Sequence, residues 1–176
     1  MILVAVRHLQ TPWNRAGVLQ GRADIAIERP GRRQQNKIKK IRRSLDRLGL
    51  FDLVICSDLR RTRQTASAYG FKRLIRDPLL DEFDFGVFEG TKKAMLPQKL
   101  GTAWIKQPHE IKLGESVRAL EKRIRKFLRK YAGHERILVF GHGCWLRALK
   151  SIHEIGDVRR MNRMAIRNDQ VLILRF

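Results

Sequence analysis

The sequence predicts an α/β fold, a three-layer α/β/α sandwich with a largely parallel central sheet, formed as a single domain. Four short apolar runs typical of buried strands alternate with segments of helical periodicity, and this alternation favours parallel pairing with helices on both faces of the sheet. The 176 residues are 43% hydrophobic. Apolar residues occur along the whole chain, which suits one core of ordinary size over residues 1–176.

The predicted strands end at polar or glycine residues. In a parallel sheet the carboxyl ends of the strands lie at one edge, so the residues that follow them are expected to meet there. Arg7 and His8 follow the first run, Ser57 and Asp58 follow the second, and His142 comes shortly after the third. The four runs are Ile2–Val6, Leu53–Cys56, Ile137–Phe140 and Val171–Leu174.

Four segments are predicted to be helical, two of them from the three-and-four spacing of apolar residues that marks an amphipathic helix. Gly49 is expected to end the first helix. Ser57 or Asp58 is expected to cap the second helix. The four segments are 31–48, 61–69, 116–131 and 144–152.

The periodicity weakens between Phe85 and Leu113. Glycine and proline interrupt this stretch repeatedly, at Gly86, Gly90, Pro97, Gly101 and Pro108. We expect residues 86–113 to form a loop or short-helix cap over the site rather than a second domain.

The chain is strongly basic, with 38 Lys and Arg against 17 Asp and Glu, a formal net charge of +21. Two explanations remain open, namely an anionic partner and the solvation of helix faces by basic side chains. The basic residues concentrate in 29–47, 118–136 and 159–167. Nucleic acid is a less favoured partner, because the aromatic residues are not interleaved with basic ones as in a stacking platform.

Two cysteines, Cys56 and Cys144, lack the spacing of metal ligands, so neither a zinc site nor a disulfide framework is expected. No cofactor or metal is predicted. No apolar run approaches the roughly 20 residues that cross a bilayer, and the opening residues lack the features of a signal peptide. A cytoplasmic location without membrane contact is the default expectation, and the oligomeric state is left open.

Five segments, in order, resemble the motifs of the histidine phosphatase superfamily, also called phosphoglycerate-mutase-like. An Arg-His pair after the first strand is followed by Trp-Asn and Gln-Gly-Arg, as in that family. The segments are VAVRHLQTPWNRAGVLQGRADIAI from Val4, CSDLRRTRQTA from Cys56, LLDEFDFGVFEG from Leu79, LGESVRAL from Leu113 and VFGHGCWLRAL from Val139.

The resemblance implies that His8 is the nucleophile and that Arg7, Arg61 and His142 surround the transferred phosphoryl group. A neutral imidazole can attack phosphorus and form a phosphohistidine. Arginine matches the phosphoryl oxygens in geometry and stays charged, so two arginines and a histidine can replace a metal. Residues implied to complete the phosphate cradle are Asn14, which is otherwise a turn residue, the backbone near Gln20 and Gly21, and Gly143, which would let main-chain N–H groups approach the oxygens.

Glu82 matches the family position that protonates the departing alkoxide. Asp81 and Asp84 compete for this role, and a solvated acidic turn is the alternative for all three. The sequence departs from the family at Leu9, where glycine usually follows the first histidine, and at Gln10, where an acidic residue is usual. A side chain at Leu9 is expected to crowd the phosphate or shift the loop.

The sequence therefore predicts a metal-independent phosphomonoesterase that acts on a small phosphorylated, multiply anionic compound. In the family that the sequence resembles, mutases of the phosphoglycerate type are longer and have an extra helical insertion between the acid motif and the second histidine. Only 59 residues separate Glu82 from His142 here, which favours a phosphatase. Two alternatives remain open. One is a mutase, and the other is an impaired family member that binds a phosphorylated ligand or nucleic acid without turnover.

Overall fold

The computed structural model describes residues 1–176 and has a five-stranded sheet in the order β3-β2-β4-β1-β5. Its first four strands run parallel, and β5 pairs antiparallel with β1 at one edge. The strands are β1 Ile2–Arg7, β2 Leu53–Cys56, β3 Ile75–Arg76, β4 Arg136–Gly141 and β5 Val171–Arg175. The prediction of a largely parallel sheet is confirmed. The two-residue strand β3 was not predicted.

Seven α-helices accompany the sheet: α1 Pro12–Arg15, α2 Arg32–Asp46, α3 Arg60–Ala68, α4 Met95–Leu100, α5 Ala103–Lys106, α6 Val117–Lys130 and α7 Gly143–Ile155. All four predicted helices are present. The prediction that Ser57 or Asp58 caps α3 is wrong, because Leu59 occupies the N-cap position without a side-chain cap. The Ser57 hydroxyl instead accepts the N–H of Leu59 at 3.2 Å, one residue before the helix.

Alternate side chains of the central strands enter two separate apolar clusters, one on each face of the sheet. On β1, Leu3 and Ala5 belong to a cluster of 27 buried residues that also contains the inner faces of α6 and α7. Val4 and Val6 belong to a second cluster of 10 residues, which includes α2 and α3. Helices thus cover both faces, and the three-layer α/β/α arrangement is confirmed.

The segment 86–113 contains the short helices α4 and α5 and a 3-10 turn at Pro108–Glu110. Leu96, Trp104 and Ile111 anchor it to the larger cluster. Helices this short are held by tertiary packing, and their apolar residues are too few to produce a periodic pattern. None of the helices combines the length and the apolar character that a bilayer crossing requires.

The packing of α2 provides a test of the smaller cluster. Leu45 is 1% exposed on the inner face of α2, whereas Leu50, just beyond the helix, is 91% exposed. We expect Leu45→Ala to lower the free energy of unfolding by about 2–5 kcal/mol, and Leu50→Ala to change it by less than about 0.5 kcal/mol. Urea denaturation of both variants measures this, and equal effects would contradict the packing described.

Candidate active site

Two histidines lie side by side where β1 and β4 end. Arg7 is in register with Gly141, and the His8 N–H donates to the Gly141 carbonyl at 2.9 Å. The ring centroids of His8 and His142 are 5.4 Å apart, with the planes tilted by 56°. Both rings are buried. The predicted convergence of the two imidazoles is therefore present.

One hydrogen bond fixes the tautomer of His8. Its Nδ1 lies 2.7 Å from the Leu9 carbonyl oxygen. A carbonyl only accepts, so in the neutral ring Nδ1 carries the proton and Nε2 keeps a free electron pair. His8 lines a cavity of about 310 Å³. The ring is thus prepared to act as a nucleophile through Nε2.

His142 lies behind Arg61 and does not line the cavity. The Arg61 Nε–H donates to His142 Nδ1 at 3.1 Å, which leaves His142 Nε2 to donate to the Ser57 hydroxyl at 2.7 Å. Both ring nitrogens are therefore engaged, and His142 orients Arg61 directly. A contact of His142 with a phosphoryl oxygen remains a prediction.

Arg61 is buried and held on three sides. Besides His142, its Nη1 and Nη2 groups donate to the carbonyls of Ala23 and Gly21, each at 2.7 Å. Gly21 lines the cavity, and its carbonyl anchors the arginine, while a contact of its backbone with phosphate stays a prediction. Gln20 also lines the cavity, and its side-chain oxygen accepts the Thr11 hydroxyl at 3.0 Å.

Arg7 reaches the cavity across Gly143. Its Nη1 donates to the Ile166 carbonyl, and its Nε is buried without a partner. A Cβ at Gly143 would approach the Arg7 guanidinium carbon to 3.2 Å. The absence of a side chain at Gly143 therefore makes room for the Arg7 guanidinium. The sequence had indicated a different role for this glycine, the approach of main-chain N–H groups to phosphate.

Asn14 presents a donor to the cavity because its oxygen is already engaged. Its Oδ1 accepts the backbone N–H of Thr11 at 3.3 Å and the Asn168 side-chain amide at 3.1 Å. Asn168 also donates to the His8 carbonyl at 2.9 Å. The sequence analysis missed Asn168, which lies in a turn before β5 and belongs to none of the motifs.

Glu82 is the only one of the three competing acids that lines the cavity. Its oxygens accept the N–H groups of Cys144 and Trp145, each at 3.1 Å, in the first turn of α7. Asp81 pairs with Arg22 at 2.6 Å, and Asp84 accepts the Gly86 N–H at 2.7 Å.

The expected crowding by Leu9 does not occur. The Leu9 side chain is 2% exposed and belongs to the smaller apolar cluster, away from the cavity lining. Its N–H donates to the Thr65 hydroxyl at 2.9 Å. Gln10 is exposed, and its carbonyl accepts the Glu28 N–H at 2.8 Å.

Two further cations line the cavity, Lys93 and Arg147, and the sequence analysis missed both. Helical spacing offered a signal for Arg147, which lies four residues after Gly143 on α7. The sequence offered no such signal for Lys93, because its position depends on the path of the irregular segment before α4. No cluster of three or more His, Cys, Asp or Glu side chains has the arrangement of a metal site.

The electrostatics keep both imidazoles neutral. The pKa of His8 is well below its usual 6.5 because the ring is buried and because Arg7 and Arg61 repel a second proton. Burial and the charge of Arg61 likewise depress the pKa of His142. Burial lowers the pKa of Arg61 to about 10, so it remains charged at neutral pH.

Comparison with known proteins shows the family to which the chain belongs. The histidine phosphatase superfamily (branch 1) matches residues 3–176. Phosphoserine phosphatase 1 of Hydrogenobacter thermophilus is 28% identical over 158 residues, which cover 84% of this chain and 73% of the relative. The 2,3-bisphosphoglycerate-dependent phosphoglycerate mutase of Methylorubrum extorquens is 31% identical over 168 residues, covering 84% and 76%.

The fold has solved counterparts. The crystal structure of the alpha-ribazole phosphatase of Shigella flexneri superposes with a TM-score of 0.77 at 24% identity, covering 98% of this chain and 89% of the other. At this identity the likeness concerns the fold.

The buried imidazoles make stability depend on pH. Unfolding exposes rings that take up protons below about pH 6.5, whereas the folded protein keeps them neutral, so the stability present above that pH is lost as the pH falls. Each ring contributes at most about 1.4 kcal/mol per pH unit to this loss of unfolding free energy. We expect urea denaturation at pH 6.5 and 5.5 to show a smaller loss of unfolding free energy in His8→Gln than in the unmodified protein.

The exposed His153 provides the control. His153→Gln should retain the full pH dependence, and an unaltered dependence in His8→Gln would contradict the assignment.

Proposed function

The chain belongs to branch 1 of the histidine phosphatase superfamily, and on this premise we propose that it hydrolyses small phosphomonoesters through a phosphohistidine at His8. The observation that carries the proposal is a neutral His8 ring with a free Nε2 beside two guanidinium groups in one cavity. A nucleophile and fixed positive charge around one phosphoryl position are the requirements of this reaction.

In the first half-reaction, His8 Nε2 attacks phosphorus while the bond to the ester oxygen breaks. Arg7 and Arg61 bind the equatorial oxygens and stabilise the charge spread over them. The Asn14 amide and the Gly143 N–H contribute further donors. Glu82 gives a proton to the departing alkoxide, since it is the carboxyl group that lines the cavity.

In the second half-reaction, water attacks the phosphohistidine and the P–N bond breaks. Glu82, now a carboxylate, takes the proton of that water, and His8 returns to its neutral form as phosphate leaves. His142 acts indirectly, because it accepts a hydrogen bond from Arg61 and holds that guanidinium in place.

The size of the cavity supports a small substrate. About 310 Å³ lies at the lower end of the range for small-molecule sites. Apolar side chains form much of its wall, among them Val18, Phe85, Leu96, Trp104 and Ile166. A compact phosphorylated metabolite suits this space better than a phosphoprotein.

A mutase is the second candidate, favoured by the 31% identity to the phosphoglycerate mutase of Methylorubrum extorquens. The two functions share the phosphohistidine and differ in whether water or a second hydroxyl takes the phosphoryl group. Isomerisation of a phosphorylated substrate without net phosphate release would identify the mutase. The Leu9 side chain packs in the smaller apolar cluster and not in the cavity, which supports a catalytic family member over an impaired one.

The nucleophile is tested by phosphate release from para-nitrophenyl phosphate in the presence of EDTA. We expect activity in the unmodified protein and a loss of at least about 10³-fold in His8→Ala, because no other neutral imidazole faces the cavity. Rapid acid-free quenching and mass spectrometry should find phosphate on the His8 peptide. Activity that persists in His8→Ala, with His153→Gln as the control, would overturn the assignment.

The role of Glu82 is tested by varying the leaving group. An alkoxide needs a proton when it departs, whereas para-nitrophenolate is stable without one, so Glu82→Gln should reduce kcat/KM by about 10²–10⁴-fold for an alkyl phosphate and much less for the aryl ester. Asp84→Asn serves as the control, because Asp84 lies outside the cavity lining. An equal loss for both esters would argue for a structural role of Glu82 at the start of α7.

A further inference from the structure

Asp169 is the only residue other than glycine with a left-handed backbone conformation, at φ 57°. It is the third residue of the turn 167–170 before β5, in which the Gln170 N–H donates to the Arg167 carbonyl at 3.2 Å. Glycine is the usual residue for a positive φ at this place in a turn, because a Cβ makes the conformation unfavourable. A contact of the Asp169 side chain is therefore needed to maintain it.

The Asp169 carboxylate anchors the turn to α2. Its two oxygens accept hydrogen bonds from the Gln34 amide and the Lys37 ammonium group, and the residue is 5% exposed. The backbone of the turn is bound to β1, since the Asp169 N–H donates to the Arg7 carbonyl at 3.1 Å and the Arg7 N–H donates to the Gln170 carbonyl at 3.0 Å. Side chain and backbone together fix the turn beside the active site.

The fixed turn directs the Asn168 amide toward two acceptors. Its Nδ2 donates to the His8 carbonyl at 2.9 Å and to Asn14 Oδ1 at 3.1 Å. A carbonyl only accepts, so the group that faces His8 is the NH2 group, and its second hydrogen requires an acceptor on Asn14. The Asn14 amide is thereby held with its own NH2 group toward the cavity, which Asn14 lines and Asn168 does not.

The two acceptors of Asn168 differ in how firmly they are held by other groups. Asn14 Oδ1 accepts one further backbone donor, the Thr11 N–H, at the longer distance of 3.3 Å. His8 is fixed by its own N–H, which donates to Gly141, and by its Nδ1. Loss of the donor on Asn168 is therefore expected to disturb Asn14 more than the nucleophile.

We propose that Asn168 is a positioning residue, which directs the Asn14 NH2 group toward an oxygen of the bound phosphoryl group. The inference rests on the proposed hydrolysis at His8 and deepens it by adding a residue that lies outside the cavity lining and acts through Asn14. An amide that is held with its donor toward the anion does not have to reorient when the substrate binds. An amide free to rotate would also present its oxygen, which repels the phosphoryl oxygens.

Asn168→Asp tests the direction of these hydrogen bonds, because the two side chains have nearly the same shape and a carboxylate only accepts. The variant cannot donate to Asn14 Oδ1, and it attracts the Asn14 NH2 group away from the cavity. We expect kcat/KM for para-nitrophenyl phosphate to fall by about 10–100-fold, as in Asn14→Ala, which removes the donor altogether. In the Asn14→Ala background, Asn168→Asp should reduce it by less than about threefold further.

Gln170→Glu is the matched control for the added charge, since its side-chain oxygen accepts the Arg167 N–H at 2.8 Å and a carboxylate can do the same. It should retain kcat/KM within about threefold. An equal loss in this control, or an undiminished loss in the Asn14→Ala background, would overturn the positioning role, because the effect would then arise from charge or from the fold. If Asn168→Asp fails to fold, Asn168→Leu takes its place in the same comparison.

Calorimetric titration of inorganic phosphate separates the positioning role from the proposed hydrolysis. We expect Asn14→Ala and Asn168→Asp each to weaken phosphate binding by about 10–100-fold, and the double variant to bind less than about threefold more weakly than Asn14→Ala. This pattern supports the positioning role even if no ester is hydrolysed, in which case only the hydrolytic proposal fails. Normal turnover and unchanged phosphate affinity in Asn168→Asp would leave the hydrolysis intact and overturn the positioning role.

Discussion

The parallel pairing of β1 with β4 is the constraint on which the site depends. It brings His8 and His142 together from distant parts of the chain and places the start of α7 against them. Arg61 is then held by His142, and Glu82 by the first turn of α7. The apolar side chains of β1 and β4 pack in the core and thereby also fix the polar groups at the ends of these strands. The geometry of the site therefore depends on the packing of the core.

The same burial explains the chemistry. Removing the imidazoles from water and placing guanidinium groups beside them disfavours a second proton on each ring, which leaves His8 Nε2 with a free electron pair. The arrangement has an energetic cost, because the guanidinium groups of Arg7 and Arg61 are buried and neither forms a salt bridge. An arriving anion supplies the missing partner, so part of this cost is recovered when it binds.

Much of this arrangement was predictable from the sequence, because buried parallel strands leave continuous apolar runs and the polar residues that follow them must share an edge. The four longer strands, the four helices and the shared edge of Arg7, His8 and His142 were obtained in this way. The choice of Asn14, Arg61 and Glu82 came instead from the resemblance of their motifs to the family. Other features depend on the path of irregular backbone. Lys93 and Asn168 belong to no periodic pattern, and the orientation of the Leu9 side chain is decided by tertiary packing against the smaller cluster, which no local pattern encodes.

Leu9 links this packing to the nucleophile. Its carbonyl accepts the proton of His8 Nδ1, its N–H donates to Thr65 on α3, and its side chain shares a cluster with Ile38 and Leu45 of α2. The imidazole and the outer helical layer are thus joined through one residue. A substitution that shifts the packing of α2 or α3 is therefore expected to change the orientation of the His8 ring as well.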